Sequence, residues 1–237
     1  MKMKKVLWLL FATFLAVVLI GCTASNDAGK ENNEPNSTNN DDTNNNNNDG
    51  DADDDSGEKI LYLNNGEEPT SFDPSIGFDQ LSWDPLNNLM EGLTRLDENH
   101  VPKEGVAKDW DISDDGLEYT FYLNEDAKWS NGDPVVAEDF EYAWKYMLDP
   151  DTASEAAFLA YFIEGGEDYN NGEGSADDVA IEAVDEHTLE VTLVSATGFF
   201  LDLLTNPAFF PVNHKVAEET PNWYAEADTF VGNGHLR

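Results

Sequence analysis

Side chains able to act as base, nucleophile or metal ligand are unevenly supplied along the 237 residues. The four histidines, His100, His187, His214 and His235, are scattered among loop signals, and none stands in a ligand spacing such as H-E-x-x-H. No Gly-Lys-Ser phosphate loop accompanies the glycine-rich stretches at Gly165-Gly166 and Gly172-Glu173-Gly174. Carboxylates present the opposite problem. With 49 Asp and Glu, close pairs follow from abundance alone, so they give no argument for a glycosidase dyad. Asp51 to Asp55 does not fit a calcium loop, because Ser56 occupies the position that needs Gly and Tyr62 the one that needs Glu. The residues therefore indicate no catalytic group, no metal site and no cofactor.

Cys22 has a different chemistry. As the single cysteine it excludes an internal disulfide and any Cys-based zinc site. It follows Leu19-Ile20-Gly21 at the end of an apolar run from Val6 to Ile20, with Lys2, Lys4 and Lys5 in front. That run is shorter than the ~20 residues of a membrane span, so residues 1–21 read as a cleaved lipoprotein signal. Cys22 is then acylated on sulfur and becomes the new N-terminus, and two or more acyl chains suffice for stable anchoring.

A formal net charge of -37 argues against nucleic acid as a partner, since phosphate binding needs a basic patch. Residues 22–57 are dominated by Asn and Asp and lack aromatic side chains, so they are expected to form a disordered tether. A flexible chain of that length spans roughly 30 to 35 Å, and repulsion between carboxylates lengthens it.

The elements beyond the tether can be read from periodicity. Lys59–Asn64 reads as a strand before an Asn65-Gly66 turn. Asp84 is expected to cap a helix with Pro85 in its first position, and Leu86, Leu89, Met90 and Leu93 form its apolar stripe. Tyr119, Phe121 and Leu123 alternate with Thr120 and Tyr122, a strand with one apolar face, after an Asp114-Asp115-Gly116 turn. Phe140, Ala143, Trp144, Met147 and Leu148 mark one face of a helix that starts near Val136, which has no capping hydroxyl. Glu138 and Asp139 are expected to offset that loss through the helix dipole. A second helix is expected over 154–163, a hairpin from Val179–Ala183 and Leu189–Leu193, and short helices at 199–204 and 213–219. Trp110, Trp129 and Trp144 are expected to anchor the core.

The run GVAKDW, DDGLEYTFYL, DAKWSNGDPV and AEDFEYAWKYMLDP, from Gly105 to Pro150, resembles the family-5 extracytoplasmic solute-binding proteins, the oligopeptide- and dipeptide-binding lipoproteins of ABC importers. Further phrases of that kind are Phe72-Asp73-Pro74, Glu91-Gly92-Leu93-Thr94-Arg95 and Gly232-Asn233-Gly234, so the resemblance spans about Ile60 to Gly234. It implies an α/β fold of the type II periplasmic-binding class with an inserted extra lobe. The expected division is a first lobe at 58–92, the inserted smaller lobe at 93–177 and the first lobe resumed at 178–237.

The resemblance also implies a monomeric, lipid-anchored receptor on the extracytoplasmic face. It would bind an oligopeptide by main-chain pairing and deliver it to ABC permease subunits. By position the ligand-contacting residues are Phe78, Asp79 and Gln80, whereas the stretch in which some relatives carry a ligand-contacting aromatic reads Glu155-Ala156-Ala157. Binders of nickel, haem or an oligosaccharide share the fold, and a secreted hydrolase is the reading from another class. In place of the Pro and aromatic usual after Gly232-Asn233-Gly234, the chain has His235-Leu236-Arg237. The expectation is a truncated copy whose C-terminal lobe is absent and which binds peptide weakly.

Overall fold

The computed structural model describes residue 62 and residues 64–235. The signal, Cys22, the tether and most of the Lys59–Asn64 strand lie outside the described residues.

The alternation around Tyr119 generates the centre of the fold. Strand β4 (Glu118–Leu123) sits inside a four-stranded antiparallel sheet with order β3-β4-β6-β5, where β3 is Ala107–Ile112, β5 is Ile181–Asp185 and β6 is Thr188–Thr192. Cross-strand register sets Tyr119 opposite Val191 and Phe121 opposite Leu189, and these in turn face Ile181 and Ala183 on β5. The pairs line up apolar side chains along one face, which is what stabilises a sheet in water. Tyr119, Phe121 and Leu123 are buried. Trp110 pairs with Phe121 but is only half-buried, because β3 is an edge strand with no neighbour beyond it. Trp129 and Trp144 are buried as expected. A separate two-stranded ribbon joins β1 (Thr94–Leu96) to β2 (Pro102–Glu104).

The four-stranded sheet runs across residue 177, drawing β3 and β4 from one side of it and β5 and β6 from the other. Helix α2 (Ala137–Leu148) covers β5 and β6, with Phe140, Ala143, Trp144, Met147 and Leu148 buried. Glu141 accepts the Ala183 N–H at 2.9 Å and ties the helix to the edge strand.

One helix start differs from the sequence reading, and a second is held in a way the sequence did not show. Helix α1 runs Gln80–Leu89, its N-cap is Asp79, and Pro85 lies inside it. Proline removes one ladder hydrogen bond and frees the carbonyl four residues earlier. That carbonyl, Leu81, instead accepts from Asn65 Nδ2 at 2.7 Å, so the long-range partner makes the interior proline tolerable. Helix α2 begins after Val136 with no side-chain cap, as expected. Asp139, however, does more than complement the dipole: it is 1% exposed, and its Oδ2 accepts Val136 N–H at 3.0 Å and Trp129 Nε1–H at 2.8 Å. Its Oδ1 accepts the His214 N–H at 3.2 Å and lies 2.7 Å from His214 Nδ1.

The helix expected over 154–163 is a 3-10 helix, Ala157–Phe162. Ala157 and Ala160 are small enough to sit against the core at its tighter pitch, and both are buried. The chain continues through α3 (Gly166–Asn170), the hairpin β5–β6, α4 (Phe200–Leu203) and α5 (His214–Glu219), which Asn213 caps through Val216 N–H at 3.1 Å. Gly232-Asn233-Gly234 then packs on the end of α1. A Cβ on Gly232 would stand 2.3 Å from the Leu89 carbonyl oxygen, and Asn233 bridges both the N–H and the C=O of Glu91.

Replacing Asp139 by Ala removes the acceptor of several buried donors at once. The expected loss of stability is about 3 kcal/mol, read as a lower urea midpoint with an unchanged slope.

Candidate functional site

The segment leading to Phe78 is shaped by hydrogen bonds that its own sequence supplies. Ser71 Oγ accepts the Asp73 N–H at 3.0 Å, Asp73 Oδ1 accepts the Ser75 N–H at 2.9 Å, and the Asp73 carbonyl accepts from Ile76 and Gly77. This turn is fixed to the rest of the protein on two sides. Ser75 Oγ donates to the Ala143 carbonyl on α2 at 3.3 Å, and Ser154 Oγ donates to the Ser75 carbonyl at 2.5 Å.

Asp73 is 2% exposed, and burial pushes its carboxyl up to about 6, against the smaller opposing effect of the Ser75 hydrogen bonds. The phenols of Tyr142 and Tyr146 on α2 are raised chiefly by their own burial, and Asp73 adds to it.

Beyond the turn, the three residues expected to contact ligand divide their roles. Asp79 has extended backbone, φ -151° and ψ 159°. Its side chain is committed locally: Oδ1 accepts Ser82 N–H at 3.0 Å, and Oδ2 accepts Ser82 Oγ–H at 2.7 Å and the Thr70 hydroxyl. The Thr70 hydroxyl, with Ser82 behind it, holds the Asp79 carboxyl below the ordinary value. Gln80 is exposed and donates to Asp84 within the first turn of α1. Phe78 is half-buried, and among the described residues neither its N–H nor its C=O has a hydrogen-bond partner. A residue whose N–H and C=O are both without a partner, next to the extended Asp79, has a donor and an acceptor for one rung of a strand ladder. Its ring meets Trp83 edge-on at 5.4 Å and Phe158 edge-on at 5.8 Å, while Trp83 Nε1–H donates to the Gly77 carbonyl at 2.9 Å.

The histidines gather no such site. His214 is packed between Asp139 and Glu138, His187 lies half-buried at the β5–β6 turn, and His100 and His235 are exposed. Among the described residues no group of three His, Cys, Asp or Glu could hold a metal ion. An opening of about 850 Å³ borders residues 64–69 with Phe72, Asp84, Pro85 and Asn88 instead of Phe78–Gln80. Its rim has no convergent donors beyond loop amides, so the open main chain at Phe78 is the stronger candidate.

Residues 101–235 match the family model of the bacterial extracellular solute-binding proteins, family 5, middle region. The chain belongs to this family. It is 53% identical to the dipeptide-binding protein DppE of Bacillus subtilis over 238 residues, covering all of this chain and 41% of that protein. The substrate-binding domain of an oligopeptide ABC transporter from Bacillus anthracis superposes with a TM-score of 0.69 at 44% identity, over 71% of this chain and 33% of that one. Listeria monocytogenes OppA bound to peptide gives 0.68 at 38% identity, over 71% and 34%. The fold is thus that of the type II periplasmic peptide-binding proteins, α/β and in part. This chain spans about two fifths of the length of the curated relative. Members of the family are extracytoplasmic substrate-binding proteins, and among the described residues no helix is long and apolar enough to cross a membrane.

The resemblance names Phe78, Asp79 and Gln80 as candidate ligand contacts but says nothing of what each residue offers. Asp79-x-x-Ser82, an Asn/Asp cap three residues before a hydroxyl, was a readable signal, masked by the stronger-looking Asp84-Pro85 pair.

The raised Asp73 carboxyl has a definite sign. Its contribution to stability is fully present below about pH 4 and is lost as pH rises through about 6. Asp73→Asn keeps the acceptor for Ser75 N–H without the buried charge. Denaturation midpoints of the two proteins should coincide near pH 4 and diverge by up to about 3 kcal/mol in favour of Asn above pH 7.

Proposed function

We propose that this chain forms the peptide-capturing wall of an extracytoplasmic receptor that passes oligopeptides to an ABC permease. The observation that carries the reading is that the N–H and C=O of Phe78 have no partner among the described residues, between the Asp73 turn and the extended, capping Asp79. A peptide pairing there is recognised through its main chain, so side-chain preference is broad. Phe78 supplies the rung. Asp79 acts through the geometry it imposes on the loop and not as a charge for the ligand, and Gln80 is the exposed neighbour.

The same proposal includes Cys22 as the lipid attachment point, residues 22–57 as the tether, a monomeric state and no turnover of the bound peptide. The lobes at 58–92, 93–177 and 178–237 belong to it as well. Within this chain the last two share the four-stranded sheet and all three contribute to one core, so they are expected to move as one body against any opposing wall.

Two measurements test these points. With a mixture of tri- to pentapeptides at millimolar concentration, amide resonances of Gly77 to Gln80 should shift while the peptides stay intact. A product peak would replace the receptor with a hydrolase, and unshifted amides would remove the binding wall. For the anchor, intact mass should show an acylated N-terminal Cys22. Cys22→Ser should move the protein out of the membrane fraction, and an unmodified cysteine would defeat the lipoprotein assignment.

A further inference from the structure

Three aromatic rings from separate stretches of the chain meet beside the open main chain: Phe78 in the loop, Trp83 on α1 and Phe158 on the 3-10 helix. Trp83 and Phe158 both stand in T-shaped contact with Phe78, with interplanar angles of 81° and 85°. Edge-to-face contacts of this kind are favourable and directional, so the rings hold one another in place. Their backbones are fixed too. Trp83 donates its indole proton to Gly77, and Ser154, just ahead of the 3-10 helix, donates to Ser75 in the turn before Phe78. Ala157 and Ala160 take the inward positions of the 3-10 helix, which leaves Phe158 52% exposed. An aromatic ring so exposed, yet packed against Phe78, leaves apolar contact surface uncovered by the described residues.

We infer that Phe158, with Phe78 behind it, is a specificity-determining residue that favours peptides carrying a bulky apolar side chain beside the residue paired to Phe78. The inference rests on the peptide-binding reading above. A strand laid along the Phe78 main chain projects its side chains alternately to its two faces. One of them passes the ring cluster, which offers the apolar surfaces of Phe78 and Phe158. Asp79 and Gln80, the polar residues next to Phe78, are occupied with Thr70, Ser82 and Asp84. The surface is therefore suited to a phenylalanine-like or leucine-like side chain rather than a charged one. An aromatic contact of this size corresponds to about a five- to tenfold difference in affinity.

The indole N–H of Trp83 is a local reporter for the test. The full chain is titrated with Ala-Phe-Ala and with Ala-Ala-Ala while the Trp83 indole resonance and the Phe78 amide are followed. Ala-Phe-Ala should move both and bind about five- to tenfold more tightly than Ala-Ala-Ala. Phe158→Ala should abolish that difference, leaving Ala-Phe-Ala and Ala-Ala-Ala bound equally. Phe199→Ala removes an equally exposed ring that contacts Phe162 instead, and it should change neither affinity. Equal binding of the two peptides, or a preference that survives Phe158→Ala, would overturn the inference and leave peptide binding standing. Binding of neither peptide would overturn both. Phe158→Leu, which keeps apolar bulk at the position, should retain part of the preference and serves if the alanine variant is unstable.

Discussion

A carboxylate with almost no exposure to water, Asp139, is the constraint on which the rest of this fold leans. Burying a charge is costly unless donors replace the lost water. Here the replacements come from different parts of the chain: the N-terminus of α2, the indole of Trp129 and the start of α5. Meeting the needs of one side chain thus fixes the direction of α2 over the sheet and seats α5 against it. Because a carboxylate accepts several bonds with defined geometry, the arrangement has few alternatives.

The candidate site inherits its rigidity from that helix. Ser75 hangs from the Ala143 carbonyl of α2, Ser154 holds Ser75 from the other side, and the Asp73 turn delivers the chain to Phe78. A loop whose main-chain groups at Phe78 stay unpaired cannot be stabilised through those same groups. The structure meets this by fixing the residues on both sides of Phe78 with side-chain oxygens from Ser71, Asp73 and Asp79. The buried Asp73 stands apart from the exposed carboxylates Asp97, Asp115, Asp178 and Asp185, which local hydrogen bonds hold below their ordinary values. Burial and hydrogen bonding pull in opposite directions, and which prevails depends on how much water each carboxylate keeps.

Several elements were legible because their signals are local. Strand β4, helix α2, the β5–β6 hairpin and α5 follow from alternation, a helical stripe, turn residues and the Asn213 cap. The start of α1 was misjudged because Pro85 normally marks a first turn, and the residue that makes it acceptable deeper in, Asn65, lies far back in sequence. The stretch around Ala157 lacked any cue to its pitch, since alanine suits either helix type and only the neighbouring core decides. Trp110 shows the same limit: its apolar surface was plain, but its place on an edge strand was not.

What the sequence determined by itself is the family, the α/β pattern and the acidic composition, because these depend on residue order and short-range periodicity. What only the tertiary structure decided is which groups in the loop at Phe78 to Gln80 remain open and which are used up. Hydrogen-bond satisfaction is settled between partners such as Asp79 and Thr70, Ser75 and Ala143, or Phe78 and Phe158, and their pairing exists only once distant segments have packed together.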